Sequence, residues 1–105
     1  MRFLMTSVGE MRADEALYLE MGNFIEELTK AGSLVATGGM EVGGTVFRAS
    51  GGELTVMDGP FAEAKELAGG FALVEVASKE EAMELARRFF KIIGEGEGRM
   101  QQIYG

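Results

Sequence analysis

The sequence predicts an α+β domain in which two helices pack on one face of an antiparallel sheet. Short apolar runs bounded by glycine recur along the 105 residues, which is typical of buried strands. Two longer segments space their apolar residues three and four positions apart, as amphipathic helices do. The elements follow the order β-α-β, hairpin, β-α-β. Without the inserted hairpin this is the βαββαβ order of a ferredoxin-like domain.

The first part of the chain supplies two strands and a helix. Residues 2–8 form a short apolar run that predicts a buried strand. Residues 13–31 have the period of an amphipathic helix of about five turns, and Gly32 stands where a helix is expected to end. Residues 33–37 predict a second strand. The glycine-rich stretch 38–44 predicts a flexible connection.

The middle of the chain predicts a hairpin and a central strand. Residues 45–49 and 53–57 are apolar runs separated by Ser-Gly-Gly, a combination that favours two antiparallel strands. Residues 61–67 are rich in Ala, Glu and Lys and predict about two helical turns. Residues 71–76 are almost continuously apolar and predict a strand in the middle of the sheet.

The last part of the chain predicts a second long helix and a final strand. Ser78 and Glu81 have the spacing of a capping box, in which each side chain accepts a backbone N–H at the helix start. Residues 99–104 predict the last strand. The helix between them carries an apolar face of Ala82, Leu85, Ala86, Phe89 and Ile93.

Apolar residues occur on both sides of the predicted sheet, although the helices cover one. The candidates for the other side are Phe3 or Leu4, Leu34, Leu73 and Ile103. A large exposed apolar surface marks an interaction site. A second copy of the chain, meeting this one in an isologous two-fold contact, is the simplest partner. The pattern therefore predicts a homodimer.

Composition excludes several classes of function. The length fits one domain, and the formal net charge of −7 makes a nucleic-acid partner unlikely because phosphates would be repelled. No apolar run is long enough to span a membrane, which favours a cytoplasmic protein. There is no cysteine and no histidine. We therefore expect no disulfide, no metal site, no cofactor and no Ser-His or Cys-His catalysis.

One motif carries a resemblance to a known family. Residues 58–66 read DGPFAEAKE and closely resemble the signature of the YCII-related family in its DGPF-motif branch. Residues 24–32, 68–71 and 78–82 are also similar to the family. The resemblance implies ferredoxin-like subunits that form a dimeric α/β barrel. It also implies a cleft in which some relatives use a His-Asp pair, and one related branch removes chloride from chlorinated aromatic intermediates.

The resemblance suggests two further positions. The family histidine would fall on the first helix near Met21, in a chain that has no histidine. Relatives often carry proline or an acidic residue where the second strand ends, and Glu41 is the nearest match here. Met21 and Glu41 are therefore candidates for contacts with a ligand.

The motif itself allows two interpretations. In the structural one, Asp58 caps the turn that follows it and Phe61 is a buried anchor. In the functional one, an anionic group binds at the helix start, Lys65 adds positive charge, and Asp58 and Glu63 exchange protons. The candidate catalytic residues are thus Asp58 and Glu63. The candidate ligand-binding residues are Met21, Glu41, Asp58, Phe61 and Lys65.

Three functions follow from these observations. The favoured one is a dimeric barrel that binds a small aromatic or anionic molecule near the motif. The alternative is a small lyase or isomerase that uses Asp58 or Glu63 as its acid-base group without histidine. The third is a structural partner domain. The absence of histidine favours the binding protein over the enzyme.

Overall fold

The computed structural model describes residues 1–8, 14–41, 44–58 and 69–105. The helix predicted over residues 61–67 lies outside them. The described elements, in chain order, are β1 (Arg2–Val8), α1 (Glu15–Lys30), β2 (Leu34–Met40), β3 (Thr45–Ser50), β4 (Glu53–Asp58), β5 (Gly69–Glu75), α2 (Lys79–Ile93) and β6 (Glu97–Ile103).

Four strands form an antiparallel sheet in the order β2-β5-β1-β6, and β3 pairs with β4 in a separate two-stranded sheet. The two central strands of the larger sheet, β5 and β1, are thus far apart in sequence, and each is joined to an edge strand through a helix or the hairpin. This topology confirms the predicted ferredoxin-like βαββαβ order with an inserted hairpin.

Gly38 and Gly39 do not belong to the flexible connection that the sequence predicted over residues 38–44. Gly38, Gly39 and Met40 continue β2 and pair with the start of β5. The ring of Phe71 explains the glycine at 38, because its Cε1 atom lies 3.2 Å from the place that a Cβ on Gly38 would occupy. Glycine weakens a strand, but here it makes room for a ring from the neighbouring strand.

The first helix begins and ends as the sequence predicted, within two residues. The Asp14 side chain caps it by accepting the Ala16 N–H at 2.8 Å. The chain leaves the helix at Gly32, whose φ of 75° favours glycine. The residues that face the sheet are Leu17, Phe24 and Leu28, all buried.

The second helix starts at the predicted capping residue Ser78, but one of the two capping hydrogen bonds has a different donor from the one predicted. The Ser78 hydroxyl accepts the Glu81 N–H at 3.2 Å. The Glu81 carboxylate reaches back to the N–H of Ala77 at 3.0 Å, one residue before the position of a standard capping box. Two donors at the helix start are satisfied either way. Ala82, one turn into the helix, is completely buried against the sheet.

The core lies between the helices and one face of the larger sheet. Phe3, Met5, Val74 and Val76 form a buried cluster with Ala82. Leu34 also packs on this side, which corrects its proposed place on the face without helices. The β2-β5 register explains the difference, since Leu34 pairs with the buried Val74.

The hairpin extends beyond the two layers that the helices and the four-stranded sheet form. A compact chain of this length has a radius of gyration of about 13 Å. The observed value is 15.9 Å, and the longest dimension is 45 Å. No helix of the described residues has the length and apolar character that crossing a membrane requires.

Candidate functional site

The space between the helices and the sheet is nearly filled. A cavity of about 30 Å³ remains there, lined mainly by apolar side chains that include Phe24, Leu28, Leu85 and Phe89. This volume suits one small solvent molecule, whereas ligand pockets usually measure about 300–1,000 Å³. Among the described residues, the space enclosed between the helices and the sheet is therefore too small for a ligand, although an open groove of about 340 Å³ runs between α2 and β6 along Ala86, Phe90 and Met100.

The opposite side of the sheet, which we call the open face, carries an apolar centre. In an antiparallel sheet, residues directly opposite each other point to the same side. The register places Leu73 beside Leu4, with Ala36 and Gln101 at the two ends of that row. Leu4 and Leu73 are half-buried in the single subunit, so this centre is partly shielded by its neighbours.

The next row of the open face combines an aromatic ring with polar groups. Gly38, Phe71, Thr6 and Arg99 lie opposite one another across the four strands. Phe71 and Arg99 flank Thr6 on either side, so two strand spacings, about 10 Å, separate their backbones. A small ring placed over Thr6 could contact both side chains.

The two outer rows complete the open face. Met40, Gly69, Val8 and Glu97 form the row at one end, the end from which the chain continues toward the hairpin and the DGPF motif. At the other end, Arg2 binds Glu75 in an exposed ion pair with an N–O distance of 3.0 Å, beside Ile103. The prediction of Leu4, Leu73 and Ile103 on this face agrees with the register. Phe3 points to the core.

A groove of about 340 Å³ runs over β1 and β6 on this face. Its lining includes Thr6, Arg99 and Gln101 together with Glu97. Arg99 and Gln101 are exposed, whereas Thr6 is half-buried. The volume and this mixture of polar groups beside an apolar centre are typical of small-molecule sites.

Asp58 lies at the base of the hairpin and not in this groove. It ends β4, is exposed, and its Oδ1 accepts the hydroxyl of Thr45 on β3 at 2.7 Å. The carboxylate thus joins the two strands where they enter and leave the hairpin. This contact is structural, although it differs from the helix cap proposed from the sequence.

The other predicted site residues are dispersed or lie outside the described residues. Glu41 is exposed just after β2, and Met21 is half-buried on α1 on the far side of the sheet from the open face. Phe61, Glu63 and Lys65 fall in the segment that is not described. The described residues therefore do not bring the predicted set together in one cleft.

The clearest electrostatic contact lies on the helix layer. Arg88 on α2 donates to the Glu27 carboxylate on α1, and this hydrogen bond lowers the pKa of Glu27 below its ordinary value of 4.5. The same contact raises the pKa of Arg88. The Arg88 guanidinium also lies 4.7 Å from the centre of the Phe24 ring. Both groups are exposed, and the pair joins the helices without forming an enclosed site. Among the described residues, no three acidic side chains gather as metal ligands.

The sequence analysis missed Thr6, Phe71 and Arg99. A signal for Phe71 and Thr6 was present in the alternation of their strands, since each stands two residues from a leucine of the open face. Arg99 could be placed only with the β1-β6 register, which the sequence does not reveal.

A comparison with protein families shows which family the chain belongs to. The model of the YCII-related domain matches residues 1–89. The chain belongs to the YCII-related family. An uncharacterized protein of Rhizobium meliloti (strain 1021) is 38% identical to this YCII-related chain over 84 residues, which are 78% of this chain and 68% of the relative.

Two solved structures resemble this YCII-related domain. A 5-chloro-2-hydroxyhydroquinone dehydrochlorinase from Burkholderia phenoliruptrix AC1100, in complex with 2,5-dihydroxybenzoquinone, matches with a TM-score of 0.50 at 17% identity over 99% of this chain and 94% of its own. The divalent ion tolerance protein CutA1 from Ehrlichia chaffeensis matches with a TM-score of 0.49 at 6% identity over 99% of this chain and 82% of its own. Because the sequence identity is low, the match to the dehydrochlorinase shows a shared fold alone.

Proposed function

We propose that this YCII-related chain forms a two-fold dimer through the open face of its sheet and binds a small aromatic anion there. The observation that carries the proposal is the row in which Phe71, Thr6 and Arg99 stand side by side. This row combines an aromatic surface, a hydroxyl group and a fixed positive charge within the length of one small molecule.

The apolar part of the proposed ligand follows from the centre of the open face. Leu4 and Leu73 adjoin Phe71 on the neighbouring strand positions, so a ring over Thr6 would meet apolar side chains and an aromatic ring together. Aromatic rings pair with one another more favourably than area alone predicts, by about 0.5–1.5 kcal/mol. A planar ring is therefore favoured over a flexible chain.

The charged part of the ligand follows from Arg99. Its guanidinium suits a carboxylate or an ionised hydroxyl, and the Gln101 amide lies two residues along the same strand. Glu97 lies on the other side of Arg99 in the groove. Because a carboxylate repels an anion, we expect the charged end of the ligand to lie between Arg99 and Gln101.

The second subunit follows from the exposure of this surface. No helix among the described residues covers the open face, and its apolar residues Val8, Met40 and Ile103 each leave more than two fifths of their surface exposed. A second copy would cover them and turn the open groove into an enclosed site, as the family resemblance implies. The complex of the dehydrochlorinase with 2,5-dihydroxybenzoquinone involves a ligand of similar shape, a planar six-membered ring with oxygen substituents.

Binding is favoured over acid-base catalysis by the position of Asp58. Its carboxylate is exposed and already accepts the Thr45 hydroxyl at 2.7 Å. A general acid or base usually lies within hydrogen-bond reach of the substrate. The structural contact at the hairpin base therefore argues against Asp58 as the acid-base group of a lyase or isomerase and supports the binding protein.

Calorimetric titration with matched probes tests the ligand class. Benzoate and 2,5-dihydroxybenzoquinone should bind, whereas cyclohexanecarboxylate, which keeps the charge but lacks the aromatic ring, should bind more weakly. Arg99→Gln should weaken benzoate binding by about tenfold, the equivalent of about 1.4 kcal/mol. Lys30→Gln, which removes the same charge from an ion pair on α1, is the control and should leave binding unchanged.

Two results would contradict the proposal. Equal effects of Arg99→Gln and Lys30→Gln on benzoate binding would show that Arg99 does not bind the ligand. Sedimentation as a monomer at concentrations where the probe binds would contradict the dimer.

A further inference from the structure

The hairpin of β3 and β4 has one apolar face. Its register pairs Phe47 with Val56 and Ala49 with Leu54, and the alternation of a strand puts all four on one side. The opposite side carries Arg48, Ser50, Glu53 and Thr55 toward the turn, with Val46 and Met57 next to the base. Gly51 and Gly52 join the strands with positive φ values of 57° and 80°, as a tight two-residue hairpin turn requires.

This apolar face is open in the single subunit. Phe47 is 66% exposed, Leu54 64% and Val56 51%. Within the described part of the chain, β3 and β4 pack extensively against each other, and no other element contacts either strand to a comparable extent. An isolated two-stranded hairpin is at best marginally stable in water. A hairpin of this composition therefore requires a surface that covers its apolar side.

The size of the open face indicates which surface covers the apolar side of the hairpin. Four strands of about seven residues present a projected area of about 430 Å². The smallest stable interfaces bury about 600 Å² on each partner. The apolar face of the hairpin adds about 200 Å², which brings the total above that limit. Because the accessible surface of side chains is larger than its projection, sheet and hairpin together present more than the area that a stable dimer needs.

We infer that the hairpin is an arm that packs its Phe47, Leu54 and Val56 face onto the second copy of the chain. The inference rests on the dimer of the proposed function. It adds that the dimer contact extends beyond the sheet.

Charge on the hairpin is compatible with this burial. Arg48 and Glu53 lie on the side that would remain in water. On the apolar side the one charged group is Asp58 at the base, which stays exposed and accepts the Thr45 hydroxyl. Burial of this face against a second copy thus leaves no unpaired charge between the subunits, which would otherwise be costly.

Thiol labelling tests the arm directly, because the chain has no cysteine of its own. Leu54→Cys places a thiol on the apolar face, and Thr55→Cys places one on the polar face of the same strand. Both variants are alkylated with iodoacetamide over a range of protein concentrations, while sedimentation of the same samples reports the dimer. At concentrations about tenfold above the dissociation constant, the L54C thiol should react several times more slowly than the T55C thiol. The two rates should converge on dilution. Val56→Cys gives a second thiol on the apolar face should L54C fail to fold, which circular dichroism would report.

The outcomes separate the arm from the dimer itself. Equal rates for the two thiols in a sample that sediments as a dimer would overturn the arm and leave the proposed function intact. Slow reaction of L54C in a sample that sediments as a monomer would mean that the chain covers its own hairpin, and this also overturns the arm. A wild-type chain that stays monomeric at every concentration would overturn both proposals.

Discussion

The two faces of the four-stranded sheet are formed by alternate residues of the same strands, yet they differ in how they are covered. On the helix-covered face, Phe3 and Val74 keep 2% and 1% of their surface exposed. On the open face, their chain neighbours Leu4 and Leu73 are half-buried, and Ile103 is 41% exposed. Both faces are apolar at their centres, but one is filled within the subunit and the other is not.

This difference separates stability from function. A filled core contributes most to the free energy of folding of the subunit, because each buried large side chain contributes about 1.5–3 kcal/mol. An apolar surface left open with polar groups at its margin is available for a partner or a ligand. Substitutions on the two faces should therefore affect different properties.

The largest expected effect comes from the core. Phe3→Ala should lower the free energy of unfolding by about 3–5 kcal/mol, because it leaves a cavity under the helices. The variant Leu4→Ala changes the neighbouring residue, which lies on the open face. It should lower the free energy of unfolding by about 1–2 kcal/mol in a dilute sample. Urea denaturation of both variants measures the difference.

Protein concentration sharpens this test. The loss in Phe3→Ala should be the same at low and high concentration, since the contact is within one subunit. The loss in Leu4→Ala should grow with concentration, because the dimer stabilises the wild type by mass action. A loss in Leu4→Ala that does not depend on concentration would argue against a contact between subunits at Leu4.

A pair of glycines gives the next largest difference between the faces. A Cβ on Gly98, on the covered face, would lie 2.1 Å from Phe90 Cζ and 2.8 Å from the Thr6 carbonyl oxygen. Gly98→Ala should therefore cost about 1–3 kcal/mol, the usual range for an overpacked core. A Cβ on Gly38, on the open face, meets only the edge of the Phe71 ring at 3.2 Å.

Gly38→Ala should change stability by less than about 0.5 kcal/mol, since the loss of chain entropy in the unfolded state offsets a small shift of the ring. Thermal unfolding of the two variants side by side is the measurement. Equal destabilisation would mean that the open face is as tightly packed as the core.

The sequence was sufficient for the order of the elements and insufficient for the sides of the sheet. Periodicity marks both helices, Ser78 marks the start of the second, and the Gly-Gly turn marks the hairpin. Leu34 was placed on the wrong face because β2 has a register shift between Leu34 and Ala36, which no local pattern reveals. Gly38 and Gly39 read as a loop because their contact with β5 is between distant parts of the chain.

The site was harder to predict than the fold for the same reason. Phe71 and Arg99 belong to strands 28 positions apart that never pair with each other and are aligned only through β1. A motif such as DGPF is visible because its residues are consecutive. A site formed by residues opposite one another in a sheet becomes visible only with the register.

The hairpin base offers a smaller effect that extends the comparison to the arm. Asp58→Ala removes the acceptor of the Thr45 hydroxyl and should loosen the hairpin by about 1 kcal/mol, while Asp58→Asn keeps an acceptor oxygen and should cost less. Amide hydrogen exchange should be faster in residues 45–58 and unchanged in β1 and β5. Weaker benzoate binding in Asp58→Asn, with the hairpin exchange unchanged, would instead support a direct role of the carboxylate in the site.

The smallest expected effect lies on the outer side of the helix layer. The hydrogen bond from Arg88 lowers the pKa of Glu27, so this pair stabilises the fold above the ordinary value of 4.5 and the contribution is lost as the pH falls through the lowered pKa. Glu27→Gln should therefore melt slightly below the wild type at neutral pH, and the two should converge in acid, once the pH is below the lowered pKa of Glu27. Glu26→Gln, which breaks the exposed pair with Lys30 inside α1, is the matched control and should have a still weaker effect, because it joins no second element. A gap between Glu27→Gln and the wild type that widens in acid would contradict this assignment, since a lowered pKa can stabilise the fold only while the carboxylate is ionised.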